Sequence, residues 1–124
     1  MRDEPEATLS EGDRPVEATF AFVDLAGFTA LTEAHGDAEA VAIVRAFRDR
    51  ALEVLAPGDE LVKTIGDAVM FAFPTPHAAV AALRELLERE LRHDDAILMP
   101  RIGAHHGAAV ATDGDYYGAA VNLA

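Results

Sequence analysis

Two aspartates, Asp24 and Asp67, each stand where an apolar run meets a glycine. The first closes Phe20-Ala21-Phe22-Val23-Asp24-Leu25-Ala26-Gly27, the second Leu61-Val62-Lys63-Thr64-Ile65-Gly66-Asp67. A carboxylate beside a core loses hydration and is costly to place there without compensation. Two of them brought together repel unless a cation lies between them. The pair therefore reads as a site for a hard divalent metal, and a metal held in this way commonly holds phosphates. Lys63 adds a second kind of chemistry, since it is the only lysine of the chain and lies within the second aspartate segment.

The elements that must position these residues follow from the apolar spacing. Glu17 to Leu25 reads as a strand, mostly apolar around Phe20 and Phe22, as in a strand covered on both faces. Gly27 breaks that strand and Thr29 opens a short helix. Asp37 is the expected N-cap of a second helical run in which Val41, Val44, Phe47, Ala51 and Leu55 recur at three- and four-residue spacing, ended by Pro57-Gly58. Glu60–Ile65 and Ala68–Phe73 read as a hairpin turning at Gly66-Asp67. A helix is expected from about 77 to 92, with Val80, Leu83, Leu87 and Leu91 inward and Glu85–Arg89 and Glu88–Arg92 pairs on its wet face. Ile97 to about Ala111 is a long strand with room for a bulge at Gly103, Asp113-Gly114 is a turn, and Val121–Ala124 opens a helix.

This order is the βαββαβ pattern of a ferredoxin-like α+β (α/β) sheet with helices on one face. In that topology the first strand lies beside the hairpin, so Asp24 and the hairpin tip carrying Asp67 converge. Residues 1–15 are acidic, carry Pro and Gly and lack periodicity, and read as a flexible leader before one domain over 16–124.

The 124 residues suffice for one domain and not for two. The formal net charge of −12 argues against nucleic acid or an anionic membrane surface as partner. No run of apolar residues is long enough to span a bilayer, and the acidic start is unlike a signal peptide. The absence of cysteine excludes a disulfide or thiolate zinc site and fits a reducing, cytoplasmic location. So acidic a chain repels a polyphosphate, and would need divalent cations and a few local basic groups to bind one.

Three segments, in order, resemble a class III nucleotidyl cyclase catalytic domain of the adenylate/guanylate type. They are Phe22-Val23-Asp24-Leu25-Ala26-Gly27-Phe28-Thr29, Lys63-Thr64-Ile65-Gly66-Asp67, and Asp115-Tyr116-Tyr117-Gly118-Ala119-Ala120-Val121-Asn122. Arg101-Ile102-Gly103-Ala104-His105-His106-Gly107 is a weaker fourth. The resemblance implies conversion of ATP to 3′,5′-cyclic AMP and pyrophosphate, with two Mg²⁺ or Mn²⁺ ions held by Asp24, Asp67 and the Leu25 carbonyl. It implies that the backbone of Ala26, Gly27, Phe28 and Thr29, together with Arg101, contacts phosphate. Lys63 and Asp115 match the base-selecting pair: a donor and an acceptor answer adenine, where guanylate-specific members carry Glu and Cys. Asn122 matches the residue that orients the ribose. In the family each site forms across a two-fold homodimer, with the metal aspartates from one protomer and the base pair and asparagine from the other.

The sequence also departs from that family. Its transition-state arginine and a phosphate-binding lysine would lie beyond Ala124, so the fold is expected to be incomplete at its C-terminal end, and losing one such charge donor typically costs ~10²–10³ in rate. The short link Ala111–Asp115 resembles the bacterial subgroup with shortened dimer arms. A catalytically silent cyclase-like module, binding nucleotide or pairing with a partner, is the competing reading, and a bare ferredoxin-like fold is a third. Singly, Asp24 and Asp67 are equally cap and turn residues, Lys63 a strand lysine, and Asp115 and Asn122 turn and capping residues. His105 and His106, adjacent on a strand, point to opposite faces and do not share an ion.

Overall fold

The computed structural model describes residues 11–26, 28, 33–34, 36–89, 91–93 and 96–124. Residues 1–10 of the leader expected over 1–15, the break at Gly27 and the helix opening at Thr29 lie outside them. Among the described residues the order is β1 (Arg14–Ala26), α1 (Asp37–Glu53), β2 (Glu60–Ile65), β3 (Ala68–Phe73), α2 (Pro76–Glu88), β4 (Leu91–His93), β5 (Ala96–Thr112), β6 (Asp115–Tyr117) and α3 (Ala119–Leu123).

The sheet runs β2-β3-β1-β5-β4, with β6 added on β5, and every pairing is antiparallel. This is the mixed α+β, ferredoxin-like order expected from the sequence. β1 is longer than expected, beginning at Arg14, because it pairs without interruption with β5 from Arg14↔Ala111 to Ala26↔Met99. The continuous register leaves no bulge at Gly103. The hairpin has the expected strand limits, with its irregularity between Leu61 and Lys63 instead.

β1 is apolar on both faces because both faces are covered. Ala21, Val23 and Leu25 join Val69, Phe71 and Phe73 beneath α1 and α2. Phe20 joins Met70, Ala72, Ala109 and Ala120 on the opposite face, beneath β6 and α3. Full burial of a side chain such as Phe20 or Phe71 contributes about 1.5–3 kcal/mol.

The helices turn differently from the sequence expectation. α1 buries Ile43, Phe47 and Ala51 and leaves Val41 exposed; its N-cap is Gly36, and Asp37 is its first residue. α2 buries Ala79, Ala82, Leu83 and Leu86, while Val80 and Leu87 face outward. Alanines let a helix approach the sheet closely, so the inward stripe follows packing distance rather than side-chain size. α2 stops at Glu88, and Leu91 belongs to β4. Its start matches the spacing: Thr75 accepts a hydrogen bond from the Ala78 amide at 3.0 Å, with Pro76 in the first turn. The Glu85–Arg89 pair forms as expected, whereas Glu88 pairs with Arg84.

Candidate functional site

Alternation along β1 places Phe20, Phe22 and Asp24 on one face, the face that α3 and β6 partly cover. Register then brings Arg101 of β5 directly opposite Asp24. The Arg101 guanidinium donates Nε to Asp24 Oδ1 at 2.9 Å and Nη2 to Oδ2 at 3.2 Å, a two-pronged ion pair. Its side chains are open to water, 71% exposed for Arg101 and 36% for Asp24.

Asp67 sits at the hairpin tip, one residue before Ala68, and β3 runs beside β1 with Val69 opposite Val23. The two aspartates are thus at the same end of neighbouring strands. Both act on one cation: the Arg101 guanidinium is held above its ordinary range, first by its hydrogen bond to Asp24, then by the Asp24 charge, with a smaller contribution from Asp67.

A cavity of about 300 Å³ opens here, lined among others by Phe22, Asp24, Ala68, Arg101, Gly103 and Ala124. Asp67 lines a separate groove of about 580 Å³ between α1 and the hairpin, with Val41, Val44, Arg45, Arg48 and Thr64. Arg45 and Arg48 lie one turn apart on α1. Nothing in the local sequence sets them apart from other helix-surface arginines, and only the packing of α1 on the hairpin brings them beside Asp67.

Lys63 and Asp115, 52 positions apart in the chain, meet directly: Lys63 Nζ donates to Asp115 Oδ2 at 2.7 Å. The Tyr116 amide donates to Asp115 Oδ1 at 2.8 Å, so both carboxylate oxygens are engaged. Asp115 is accordingly held below the ordinary carboxylate value, first by the Lys63 hydrogen bond and then by the Tyr116 amide, against a smaller opposing effect of burial. The turn that delivers β6 is Asp113-Gly114, with φ of 49° and 77° at its two central positions. Positive φ at both positions marks the tight hairpin turn that Asp-Gly favours.

Sequence reasoning missed the tie beside this pair. The Tyr116 hydroxyl donates to Glu60 Oε1 at 2.6 Å, and the Tyr116 ring packs on Phe20 with centroids 5.2 Å apart. Glu60 carries no local signal of such a role, because its partner lies 56 positions away.

Asn122 stands exposed on α3, its backbone N–H donating to the Gly118 carbonyl at 3.2 Å. Phe28 is half-buried; Gly27 and Thr29 lie outside the described residues. His105 is exposed, while His106 on the other face lies 2.8 Å from the buried Thr19 hydroxyl, as adjacent strand residues should. Among the described residues, no three acidic, histidine or cysteine side chains gather into a metal-binding group.

On the sheet face that α3 and β6 partly cover, Arg101 pairs with Asp24 at the end of β1, and Lys63 pairs with Asp115 between β2 and β6. Asp67 stands at the hairpin tip near that end of β1, in the groove beside α1. The described walls of the cavity at Asp24 include neither Lys63 nor Asp115.

Comparison with known proteins agrees with this architecture. Residues 13–124 match the model of the Adenylate and Guanylate cyclase catalytic domain. The chain is 36% identical over 120 residues to a Mycobacterium tuberculosis protein described as uncharacterized, covering 96% of this chain and 32% of that protein. It is 36% identical over 104 residues to an adenylate cyclase of Streptomyces coelicolor, covering 83% of this chain and 27% of the relative. The chain thus spans about a third or less of these relatives. Among solved structures, a bacterial light-regulated adenylyl cyclase superposes with a TM-score of 0.75 at 24% identity, over 90% of this chain and 68% of the other. The adenylyl cyclase CyaB from P. aeruginosa gives 0.69 at 23% identity, over 90% and 70%.

Proposed function

Because the chain belongs to the adenylate and guanylate cyclase catalytic domain family, matched over residues 13–124, we propose that it contributes an adenylate cyclase site that forms cyclic AMP and pyrophosphate from ATP. The observation that carries the choice of base is the Lys63–Asp115 contact at 2.7 Å. It sets an ammonium donor beside a carboxylate acceptor, the complement of adenine's ring nitrogen and exocyclic amine.

The donor set at Asp24, Asp67 and the Leu25 carbonyl suits Mg²⁺ or Mn²⁺, which take oxygen ligands. The same place already accepts positive charge, since the Arg101 guanidinium lies against Asp24 and within the field of Asp67. Divalent cations held by these groups would lower the pKa of the 3′-hydroxyl and neutralise phosphate charge. Arg101 must then release Asp24, which frees its guanidinium to turn to a phosphate. Arg45 and Arg48 add positive charge beside Asp67, local relief in a chain of net charge −12. Asn122 orients the ribose.

The separation of the Arg101–Asp24 and Lys63–Asp115 pairs within one chain supports a site shared by two copies. Asp24 and Asp67 come from one, and Lys63, Asp115 and Asn122 from the other. Ile65 and Met99, each about half exposed or more, lie by register on the same face as Asp24 and Lys63 and offer apolar surface to the second copy.

The test is formation of cyclic AMP from ATP with Mn²⁺, in the given chain and in one extended at its C-terminus, with Asp24→Ala as control. Product that disappears in the variant supports the proposal; product from GTP in preference to ATP overturns the assignment of Lys63 and Asp115. Binding of Mn²⁺-ATP without turnover in either form favours a silent nucleotide-binding module, the reading to which the engaged Asp24 lends support.

A further inference from the structure

Two ties run from β2 to β6, and they are neighbours. Glu60 and Lys63 leave β2 three residues apart, and Tyr116 and Asp115 receive them at consecutive positions of β6. β6 is only three residues long and is anchored to β5 through Val110↔Tyr117, Ala111↔Tyr116 and Thr112↔Asp115. That ladder fixes β6 against β5, but nothing in it sets the distance from β6 to β2.

The Lys63–Asp115 contact alone is poorly suited to set it. A base edge that enters between lysine and carboxylate must open that contact, and its side chains are part-exposed, 42% for Lys63 and 22% for Asp115. The second tie is better protected. The Tyr116 ring rests on Phe20, which is fully buried, and its hydroxyl meets Glu60 at 2.6 Å. Burial, followed by the Glu60 hydrogen bond and charge, raises the phenol to about 12, so it remains a neutral donor through the neutral range. The same residue's amide holds Asp115 Oδ1. One residue thus links the depth of the core to the orientation of the base-selecting carboxylate.

We propose that Tyr116 and Glu60 are positioning residues for base selection: their hydrogen bond holds β6 at a set distance from β2, so that Asp115 and Lys63 keep their spacing when an adenine opens the contact between them. The inference rests on the adenine-binding role proposed for Lys63 and Asp115.

Binding of Mn²⁺-ATP, Mn²⁺-GTP and Mn²⁺-tripolyphosphate to the full chain, measured by calorimetry, tests it. Tyr116→Phe keeps the ring on Phe20 and removes only the hydroxyl. It is expected to weaken ATP roughly three- to tenfold, the scale of one lost hydrogen bond, to lower the ATP-to-GTP preference, and to leave tripolyphosphate unchanged. Glu60→Gln retains an oxygen that can accept the phenol proton and is expected to bind ATP within about twofold of the parent chain, whereas Glu60→Ala behaves like Tyr116→Phe. Equal weakening of ATP and tripolyphosphate in Tyr116→Phe overturns the inference, because a general structural loss does not single out the base. So does an unchanged ATP affinity and base preference. Failure of the parent chain itself to bind Mn²⁺-ATP overturns the adenine-site reading and the inference with it, an outcome distinct from the other two.

Discussion

The Arg101–Asp24 pair is two-pronged yet open to water, so solvent screening leaves it weak. A divalent cation therefore competes with Arg101 for Asp24 at a modest cost. Without nucleotide, Arg101→Ala is expected to tighten Mn²⁺ binding by no more than roughly fivefold, because the exposed pair it removes is weak. Arg101→Lys separates contact from charge: it keeps the charge but loses the fork. Calorimetry that finds Arg101→Lys equal to the parent chain means that net charge alone governs the site. The Lys63–Asp115 pair makes a pH prediction. Asp115 lies below its ordinary 3.8, so the stability it contributes is present above that value and is lost as pH falls through the depressed one. Carboxyl-carbon NMR is expected to find its midpoint below 3.8, returning toward that value in Lys63→Met. An unmoved midpoint removes Lys63 as the cause.

At the scale of elements, α3 is seated by small residues. A Cβ added at Gly107 would come within 3.0 Å of the Ala120 Cβ, and one at Gly118, where φ is 150°, within 3.2 Å of the Ala109 Cα. α3 thus lies close against β5, and its five residues are too few to hold a helix without packing. Gly107→Ala is expected to lower stability by about 1–3 kcal/mol through overpacking, read from urea unfolding, and to loosen Asn122 on α3. Unchanged stability would mean that α3 shifts freely on the sheet. The sheet and hairpin were legible in the sequence because unbroken apolar runs, a Gly-Asp tip and an Asp-Gly turn are local signals. The inward faces of α1 and α2 were less so. Val41 and Val80 fit the apolar period, yet Ile43, Ala79 and Ala82 face the sheet, because the direction of a helix's approach is set by the partner surface.

For the whole molecule, the net charge of −12 bears on assembly as much as on substrate. Two such chains repel, and salt screens that repulsion over about 10 Å at 0.1 M. The proposed homodimer is therefore expected to tighten as NaCl rises from about 20 to 200 mM, as sedimentation equilibrium would record. Ile65→Asp adds another charge to the apolar part of that face and is expected to abolish the dimer without unfolding the chain. Dimerisation that persists in Ile65→Asp would place the interface elsewhere. None of the described helices is long and apolar enough to cross a membrane.

The sequence alone specified the βαββαβ order of the main elements, though not the short strands β4 and β6, and the residue types capable of the chemistry: Asp24, Asp67, Lys63 and Asp115. These are properties of local pattern and ordered motif, which a chain carries before it folds. Only the tertiary structure decided who meets whom. The β1–β5 register set Arg101 on Asp24, and the crossing of β6 over the sheet joined Lys63 to Asp115 and Tyr116 to Glu60. Those contacts span 77, 52 and 56 positions, and contacts at such separation depend on register and packing direction, which no local run of residues encodes.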